Sequence, residues 1–466
     1  MRSADLVLTT RMSRVAVVAL QPRVRETLVA LAREGCVELV GSIPPAEGEE
    51  AEALRRLLRR GGRSPTPALL ESPPDVSSLE QTGAGDLLAG EVELGRRKRL
   101  AVGHGSFSAW LGWTPTDKID ELNEMLAPIG AAVVELPPPA WVDPPTHYRH
   151  VPVERPFRPL VQTYGTARYK DVDPTAFTAV SFIVMFGMMF GDVGHGLVLA
   201  LFGLFLRSRR HGRLAAFQPV WVIPFAAGLA GALFGFLYGE AFGPTGLVGP
   251  LWLDPLEDPI PLLLAALALG VALLLVSYVL GIVNRWRASG PGATLVAQYG
   301  IAGLATFVGG LVLVAGAYWQ LSVVEVVGGA VAMMGIGLLA LGLALDAGRG
   351  FAAVAQAVIE LFDAIVRLAS NVVSFTRLAA FGLMHAALGA VVFQAAQALW
   401  GGLVGVILAV VVFFVGNIIA FGLEALVTGV QALRLEYYEL YSRIFSGEGH
   451  AFAPWSLPVI SPEEAS

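Results

Sequence analysis

An arginine and a histidine lie in one of the most apolar stretches of this sequence, SFTRLAAFGLMHAAL (Ser374 to Leu388). They are Arg377 and, eight residues later, His385. A cation at the centre of a membrane helix costs several kcal/mol, so such residues mark ion pathways or ion pairs between helices. Both side chains are therefore candidates for a function that offsets this cost.

The polar residues around Arg377 follow one side of a predicted helix. At about 100° per residue, they fall within roughly 100° of one another, and the opposite side is apolar. The members of this stripe are Gln356, Glu360, Asp363, Arg367, Ser370, Ser374, Arg377 and His385. A stripe this long is too costly to face lipid and must face protein or water.

A second polar stripe occupies the next helical segment. It consists of Asn417, Glu424, Thr428 and Gln431, which cluster within roughly 60° on a helix. Arg434 lies ten residues past Glu424, where snorkelling to the interface is its default role. Two polar stripes on consecutive helices indicate an ion pathway.

Simpler interpretations of these residues stay open. Arg377 could pair with Glu424 and tie two helices together. His385 alone could make an interhelical hydrogen bond, and Asp363 with Arg367, four residues apart, could form a local ion pair.

The composition is that of a membrane protein. Of 466 residues, 55% are hydrophobic and 15% are charged, well below the usual quarter of a soluble domain. Residues 1–170 hold most of the charges and are predicted to be soluble, whereas 171–466 are predicted to form a transmembrane domain with a short cytoplasmic tail. The net charge of −6 argues against nucleic acid as a partner.

Several classes of site are excluded or disfavoured. The single cysteine, Cys36, cannot form an internal disulfide or, alone, a cysteine-based metal site. None of the three lysines follows a glycine, so a Walker A loop is absent. We expect no resident cofactor, and another chain must bind any ATP that this protein uses, so it is no enzyme by itself. The first 40 residues lack a secretory signal, which predicts a cytoplasmic soluble part.

The soluble part contains two β-α-β patterns. Strand candidates 14–20 and 36–40 flank a helical stretch over 21–35, and candidates 106–114 and 131–136 flank one over 115–130. A charged helix (47–60) and a Gly, Pro and Ser-rich linker lie between them. The pattern predicts a small α/β protein-contact domain.

We predict a mainly α polytopic membrane protein with about eight spans. A span needs about 20 apolar residues. Candidates lie near 218–240, 261–284, 293–318, 321–345, 351–400 and 403–434, the last two long and tilted, and 176–206 is interrupted by GDVGHG (Gly191 to Gly196). Basic loops at 207–213 and 284–287 should face the cytoplasm, so 176–206 is predicted to be a hairpin turning near Asp192, and both termini are cytoplasmic. Its arms are short for full crossings.

Three motifs resemble the large membrane subunit of rotary V-type and A-type ATPases, called subunit a or subunit I. FIVMFGMMFGDVGHGLVLALFG (Phe182 to Gly203) is similar to its hairpin signature. NVVSFTRLAAFGLMHAAL (Asn371 to Leu388) resembles its penultimate helix, and GLEALVTGVQALRLEYYELYSRIFSGEGHAFAPW (Gly422 to Trp455) its last helix and tail.

The resemblance implies a role for each matching residue. Arg377 matches the essential arginine, and His385, Glu424 and Arg434 match polar partners along the ion path. Asp192 and His195 match the hairpin motif. From their positions relative to Arg377 we expect His385 and Glu424 in an outer half-channel and Glu360 and Asp363 in an inner one, with Ser374 and Gln431 along the path.

The resemblance also implies the partners. We expect a proteolipid ring with one buried carboxylate per subunit, peripheral stalk subunits, a central stalk cap subunit and membrane lipid. The translocated ion is expected to be H⁺, with Na⁺ as the alternative, and the short loops favour a bacterial or archaeal plasma membrane.

The sequence departs from the family in its soluble arm. Members have two α/β lobes joined by a long coiled coil, whereas about 65 residues (41–105) separate the two units here. We therefore expect a shortened helical arm. A stand-alone secondary transporter or channel, and a scaffold without an ion path, are the alternatives. No inverted repeat supports the transporter, and the scaffold leaves both polar stripes unexplained.

Overall fold

The computed structural model describes residues 9–60, 64–139, 142–148, 155–209, 212–347 and 351–460. They divide into two compact units, one of residues 9–148 with 449–460 and one of residues 155–448. Each unit has its own hydrophobic core.

The first unit is built on an antiparallel sheet. The strands of this unit are β1 (Met12–Leu20), β2 (Glu38–Leu39), β3 (Leu69–Leu70), β4 (Val102–His104), β5 (Phe107–Pro115), β6 (Ala131–Leu136) and β7 (Val459–Ile460). Strands β3 and β7 form a separate pair. The sheet has the order β2-β5-β1-β6, with β4 paired to β5. In β1, Val15, Val17 and Ala19 are buried and alternate with more exposed residues, as expected for a strand with one face on the core.

Five helices accompany this sheet: α1 (Val24–Glu34), α2 (Glu49–Arg59), α3 (Val76–Thr82), α4 (Gly85–Lys98) and α5 (Ile119–Leu126). The two predicted β-α-β units are confirmed as β1-α1-β2 and β5-α5-β6. Helix α1 ends at Gly35, whose φ of 61° is left-handed and favours glycine. Helix α4 falls in the region predicted to be linker, and its Leu88 and Leu94 are buried. The arm helices are at most 14 residues long in the part of the chain described.

The C-terminal tail is part of this first unit. Strand β7 pairs in parallel with β3, and the backbone N–H of Leu69 donates to the carbonyl of Pro458 at 2.8 Å. The N–H of Trp455 donates to Val37, and its ring lies in the core beneath the Arg97 guanidinium, 5.7 Å from the ring centroid. Residues from the two ends of the sequence therefore fold together.

The second unit is helical. Its helices are α6 (Arg158–Tyr164), α7 (Thr175–Phe190), α8 (Val193–Ser208), α9 (Val222–Tyr238), α10 (Pro259–Val296), α11 (Ile301–Tyr318), α12 (Ser322–Ala347), α13 (Phe351–Ser374), α14 (Thr376–Ala398), α15 (Gly402–Leu435) and α16 (Ser442–Ile444). A 3₁₀ segment (Arg213–Val220) precedes α9 at an angle of 64°, and a π-helical segment (Glu436–Tyr441) follows α15.

Within the described residues, five helices are long and apolar enough to cross a membrane, or six if the bent 3₁₀ segment and α9 form one span. The count treats α13 and α14 as one helix. The eight predicted spans are therefore not confirmed. The two predicted spans that are missing from the count of six are α7 and α8. They have 16 residues each and reach about 24 Å, less than the ~30 Å of a hydrocarbon core.

Helices α7 and α8 are separated by Gly191 and Asp192, where the turn was predicted. Both pack against α9. A Cβ on Gly196 of α8 would lie 2.6 Å from the carbonyl oxygen of Gly228 of α9, so the two backbones touch where only glycine fits.

The predicted end of α10 and the predicted start of α11 are wrong. Helix α10 continues past residue 284 to Val296, with a kink at Gly290 (φ 78°) before Pro291, and α11 begins at Ile301 rather than 293. The predicted run 351–400 is broken at Phe375, between α13 and α14. Phe375 is fully buried, and its N–H donates to Val372, three residues back, in a tightened turn.

Candidate functional site

Five ionisable side chains meet inside the helical unit. Asp192, His195, Glu240, His385 and Glu424 are 0–4% exposed, and we call them the acid–histidine cluster. They come from four places in the chain: the turn into α8, the loop after α9, α14 and α15. Burial of this many ionisable groups is costly unless they compensate one another, which is typical of functional sites.

Asp192 connects the α7–α8 turn to the loop after α9. Its Oδ1 accepts a hydrogen bond from the backbone N–H of His195 at 2.8 Å, which caps the N-terminus of α8. Its Oδ2 accepts one from the N–H of Gly243 at 2.9 Å. The carboxylate is thereby fixed in position by two backbone donors and favoured by the positive end of the helix dipole.

His385 lies between three carboxylates. Its Nδ1 contacts Oε2 of Glu424 and so ties α14 to α15. Its Nε2 lies 3.8 Å from Oδ2 of Asp192 and 3.9 Å from Oε2 of Glu240. The first contact is an ion pair or proton-sharing pair, whereas the other two distances are too long for hydrogen bonds.

His195 completes the cluster. Its ring lies nearly perpendicular to that of His385, with 5.6 Å between the centroids. Three phenylalanine rings pack around it, those of Phe190, Phe242 and Phe421. The side chain of Asn417 lies within hydrogen-bond reach of the His195 ring, and at least one ring nitrogen has no partner among the residues that the structure describes.

Glu240 is the cluster residue that sequence reasoning missed. The sequence suggests only an acidic loop between spans. In the structure Glu240 is buried, and its backbone carbonyl accepts a hydrogen bond from Val193 at 2.9 Å. The available signal was its position, a carboxylate two residues after the end of the apolar α9.

Glu436 is a second buried carboxylate that was missed. It is fully buried in the π-helical segment after α15 and accepts a hydrogen bond from the Ser181 hydroxyl of α7 at 2.8 Å. Thr178, one turn earlier on α7, is hydrogen-bonded to the Tyr441 hydroxyl. These contacts attach the end of α15 to α7.

Arg377 is outside the cluster. It lies in the first turn of α14 and is partly exposed, with no hydrogen-bond or ion-pair partner among the residues described. The interpretation that Arg377 pairs with Glu424 is wrong, because Glu424 contacts His385. The arginine therefore carries a charge that no residue in the described part of the chain pairs with.

The other predicted site residues do not join the cluster. Glu360, Asp363 and Arg434 are exposed, and Ser374 and Gln431 are partly buried. The alternative of a local ion pair is confirmed, since Nε of Arg367 lies 2.6 Å from Oδ2 of Asp363. The polar stripe through Arg377 thus has two environments, an exposed part on α13 and a buried end at His385. The ion-translocation roles of these residues stay predictions.

The fold and the site define a class of protein. It is a multi-pass helical membrane protein with a soluble α/β unit, a buried acid–histidine cluster between its helices and an arginine that has no partner among the residues described.

Comparisons with known proteins show what this chain is similar to. Residues 104–244, which include Asp192, His195 and Glu240, match the model of the V-type ATPase 116 kDa subunit family. The chain is 28% identical to the A-type ATP synthase subunit I of Thermococcus kodakarensis over 74% of this chain and 54% of the relative. It is 27% identical to that of Pyrococcus horikoshii over 80% and 57%. It is 38% identical to V-type ATP synthase subunit I 2 of Treponema pallidum over 23% and 24%.

The chain is thus similar to subunit I proteins of A-type and V-type ATP synthases, and part of it matches the V-type ATPase 116 kDa subunit family. It spans little more than half the length of the first two relatives.

Proposed function

We propose that this chain is the non-catalytic membrane stator subunit of a rotary V/A-type ATPase or ATP synthase. It provides two ion half-channels and the arginine that faces a proteolipid ring, and so couples ion flow to rotation of that ring. The observation that carries the proposal is Arg377, a partly exposed charge within an apolar helix, without a partner among the residues described.

An arginine at membrane depth needs a counter-charge or water. Arginine is effectively always protonated. A carboxylate from another chain that arrives beside Arg377 is therefore favoured in its charged form and releases its proton. Large apolar side chains next to this region, such as Leu423 and Leu426 of α15, are exposed and available to contact a ring or lipid.

The acid–histidine cluster supports the outer half-channel. His385 lies about 12 Å along a straight helix from Arg377. It contacts Glu424 and has Asp192 and Glu240 within 4 Å, which makes a short series of groups able to exchange protons. This arrangement is suited to passing an ion towards Arg377.

Glu360 and Asp363 support the inner half-channel. Both are exposed on α13, on the other side of Arg377 along the helical run. Exposed carboxylates at this position can take up or release ions from the aqueous phase. Asp363 also forms an ion pair with Arg367.

The folding of the tail supports an even number of membrane crossings. Residues 9–148 and 449–460 belong to one unit, and a folded soluble unit cannot be split by a bilayer. Both ends of the helical unit must then leave the membrane on the same side, which an even number of spans allows and five do not. Six spans satisfy this requirement, and eight do so if α7 and α8 each cross. The basic loops support a cytoplasmic location for that side, and we propose a bacterial or archaeal plasma membrane.

The partners of the proposed subunit are a proteolipid ring, peripheral stalk subunits and a central stalk cap subunit. The transported ion is H⁺, with Na⁺ as the alternative, since much of that choice belongs to the ring carboxylate.

Purification of the tagged chain from native membranes tests this function. The stator proposal predicts copurification with a proteolipid and a Walker A subunit, and ATP-driven ion uptake by vesicles that hold the assembled complex. A stand-alone transporter or channel would instead carry ions in vesicles that hold the purified chain alone, and would do so without ATP.

A further inference from the structure

The acid–histidine cluster has the composition of a transition-metal site. One ligand atom each from Asp192, His195 and His385 lies within 4.8 Å of the other two, and all three residues are buried. Imidazole nitrogen with carboxylate oxygen is the donor set of zinc, whereas Mg²⁺ and Ca²⁺ prefer oxygen alone.

The environment of the His195 side chain is a second, independent indication of a metal site. His195 is 3% exposed, and apart from the side chain of Asn417, which can serve one ring nitrogen, its ring nitrogens have no hydrogen-bond partner among the residues described. Buried polar atoms are nearly always partnered, and an exception calls for an explanation such as an ion. An imidazole held by three phenylalanine rings beside a carboxylate has a free nitrogen to offer.

The distances around His385 fit ligands rather than hydrogen bonds. A tetrahedral zinc ion with bonds of about 2.0–2.1 Å separates its ligand atoms by roughly 3.3–3.4 Å. Nε2 of His385 is 3.8 Å from Oδ2 of Asp192 and 3.9 Å from Oε2 of Glu240. A shift of about half an ångström would bring these atoms to ligand spacing.

The surrounding contacts are those that orient metal ligands. Zinc-bound histidines almost always use their second ring nitrogen to contact a carboxylate or carbonyl, which fixes the tautomer. Here Nδ1 of His385 contacts Glu424, which leaves Nε2 directed at Asp192 and Glu240. The backbone N–H of His195 fixes Oδ1 of Asp192.

We propose that Asp192, His195 and His385 form a binding site for a divalent transition-metal cation, best suited to Zn²⁺, with Glu240 as the fourth ligand. Two carboxylates and two neutral imidazoles balance the charge of the ion, which a buried site requires. A bound ion would occupy the path between Asp192 and His385. Inhibition of transport by the metal rests on the proposed function, whereas binding does not.

Titration calorimetry tests binding. The full-length chain in lipid nanodiscs, stripped of metal, would be titrated with ZnCl₂. We expect one tight site per chain, weakened at least about tenfold by His195→Gln. His104→Gln, in the exposed strand β4, is the matched control and should bind as the wild type does. Equal affinity in wild type and His195→Gln would overturn the proposal.

X-ray absorption at the zinc edge decides the case if His195→Gln fails to fold. One equivalent of Zn²⁺ on the wild-type chain should show two imidazole ligands at about 2.0 Å. One imidazole or none would overturn the proposal.

ATP-driven uptake separates this inference from the proposed function. Zn²⁺ that binds with the expected ligands and blocks uptake by the assembled complex supports both. Zn²⁺ that binds in the same way without affecting uptake supports the metal site and contradicts the outer half-channel.

Discussion

Glu424 of α15 contacts Nδ1 of His385 on α14, and not Arg377, which lies eight residues before His385 on the same helix. The carboxylate is therefore committed to the buried cluster, and the arginine remains available to a group from outside this chain. This division of roles is the basis of the predictions below.

Glu424→Gln should block the outer path. The amide has nearly the shape of the carboxylate but cannot take up a proton, so the relay through His385 is interrupted. A positioned proton-transfer group contributes about 10²-fold or more. We expect ATP-driven proton uptake to fall by about that factor in a complex that still assembles. Glu325→Gln, an exposed carboxylate of α12, is the control. Wild-type uptake in Glu424→Gln would remove Glu424 from the path.

The inner path should depend on the carboxylates of α13. We expect the double substitution Glu360→Gln and Asp363→Asn to slow ATP-driven pumping about tenfold or more, because ions lose their entry groups. Asp346→Asn, at the exposed end of α12, serves as the control in the same uptake assay. Pumping at the wild-type rate would show that ions enter elsewhere.

The C-terminal tail should stabilise the soluble unit. Trp455 is 6% exposed and packs in the core of that unit, so Trp455→Ala leaves a cavity that costs roughly 3–5 kcal/mol. We expect faster proteolysis of residues 9–148 in the full chain and faster amide exchange at Leu69. Trp286→Ala, where the side chain is exposed in α10, should change neither. Identical proteolysis of Trp455→Ala and wild type would mean that the tail adds no stability.

Cys36 should be slow to react with alkylating reagents. Burial raises the pKa of its thiol to about 11, and the nearby Glu34 carboxylate acts in the same direction. Because the thiolate is the reactive form, the alkylation rate of the folded chain should rise about tenfold per pH unit from pH 8 to 10. The urea-unfolded chain should level off near pH 9. A plateau near pH 9 in the folded chain would contradict the raised pKa.

The raised pKa of the Cys36 thiol also predicts a loss of folding stability at high pH. The unfolded chain releases the proton first, while the folded chain keeps it. The free energy of unfolding should therefore fall as pH rises from about 9 to about 11, and Cys36→Ser should remove this part of the slope.

Helical periodicity predicted the shared face of α15, where Asn417, Glu424 and Thr428 are buried, and local turn signals predicted the break at Asp192 and the four main strands. Periodicity could not predict the pairing of His385 with Glu424. Periodicity gives the direction of a side chain around its own helix, whereas the partner depends on the relative height of two helices, which tertiary packing sets. Arg377 with Glu424 and His385 with Glu424 were equally compatible with the sequence.

Two features depended on contacts between distant residues. Glu240 is buried because the loop after α9 folds back onto the start of α8, where Gly243 donates to Asp192. Trp455 is buried because β7 pairs with β3, almost 400 residues earlier. Neither contact leaves a periodic signal in the local sequence. Helix α4 was missed because its glycines, including Gly90 packed against the Ala68 backbone, are typical of linkers.

The most direct test of the central claim is ATP-driven ion uptake into vesicles that hold the assembled complex, with the wild-type chain and with Arg377→Ala. Arg287→Ala, which removes an exposed arginine of α10, is the matched control. We predict that Arg377→Ala assembles normally and abolishes uptake, while Arg287→Ala pumps like the wild type. Uptake at a near wild-type rate in Arg377→Ala would contradict a role of the arginine in transport.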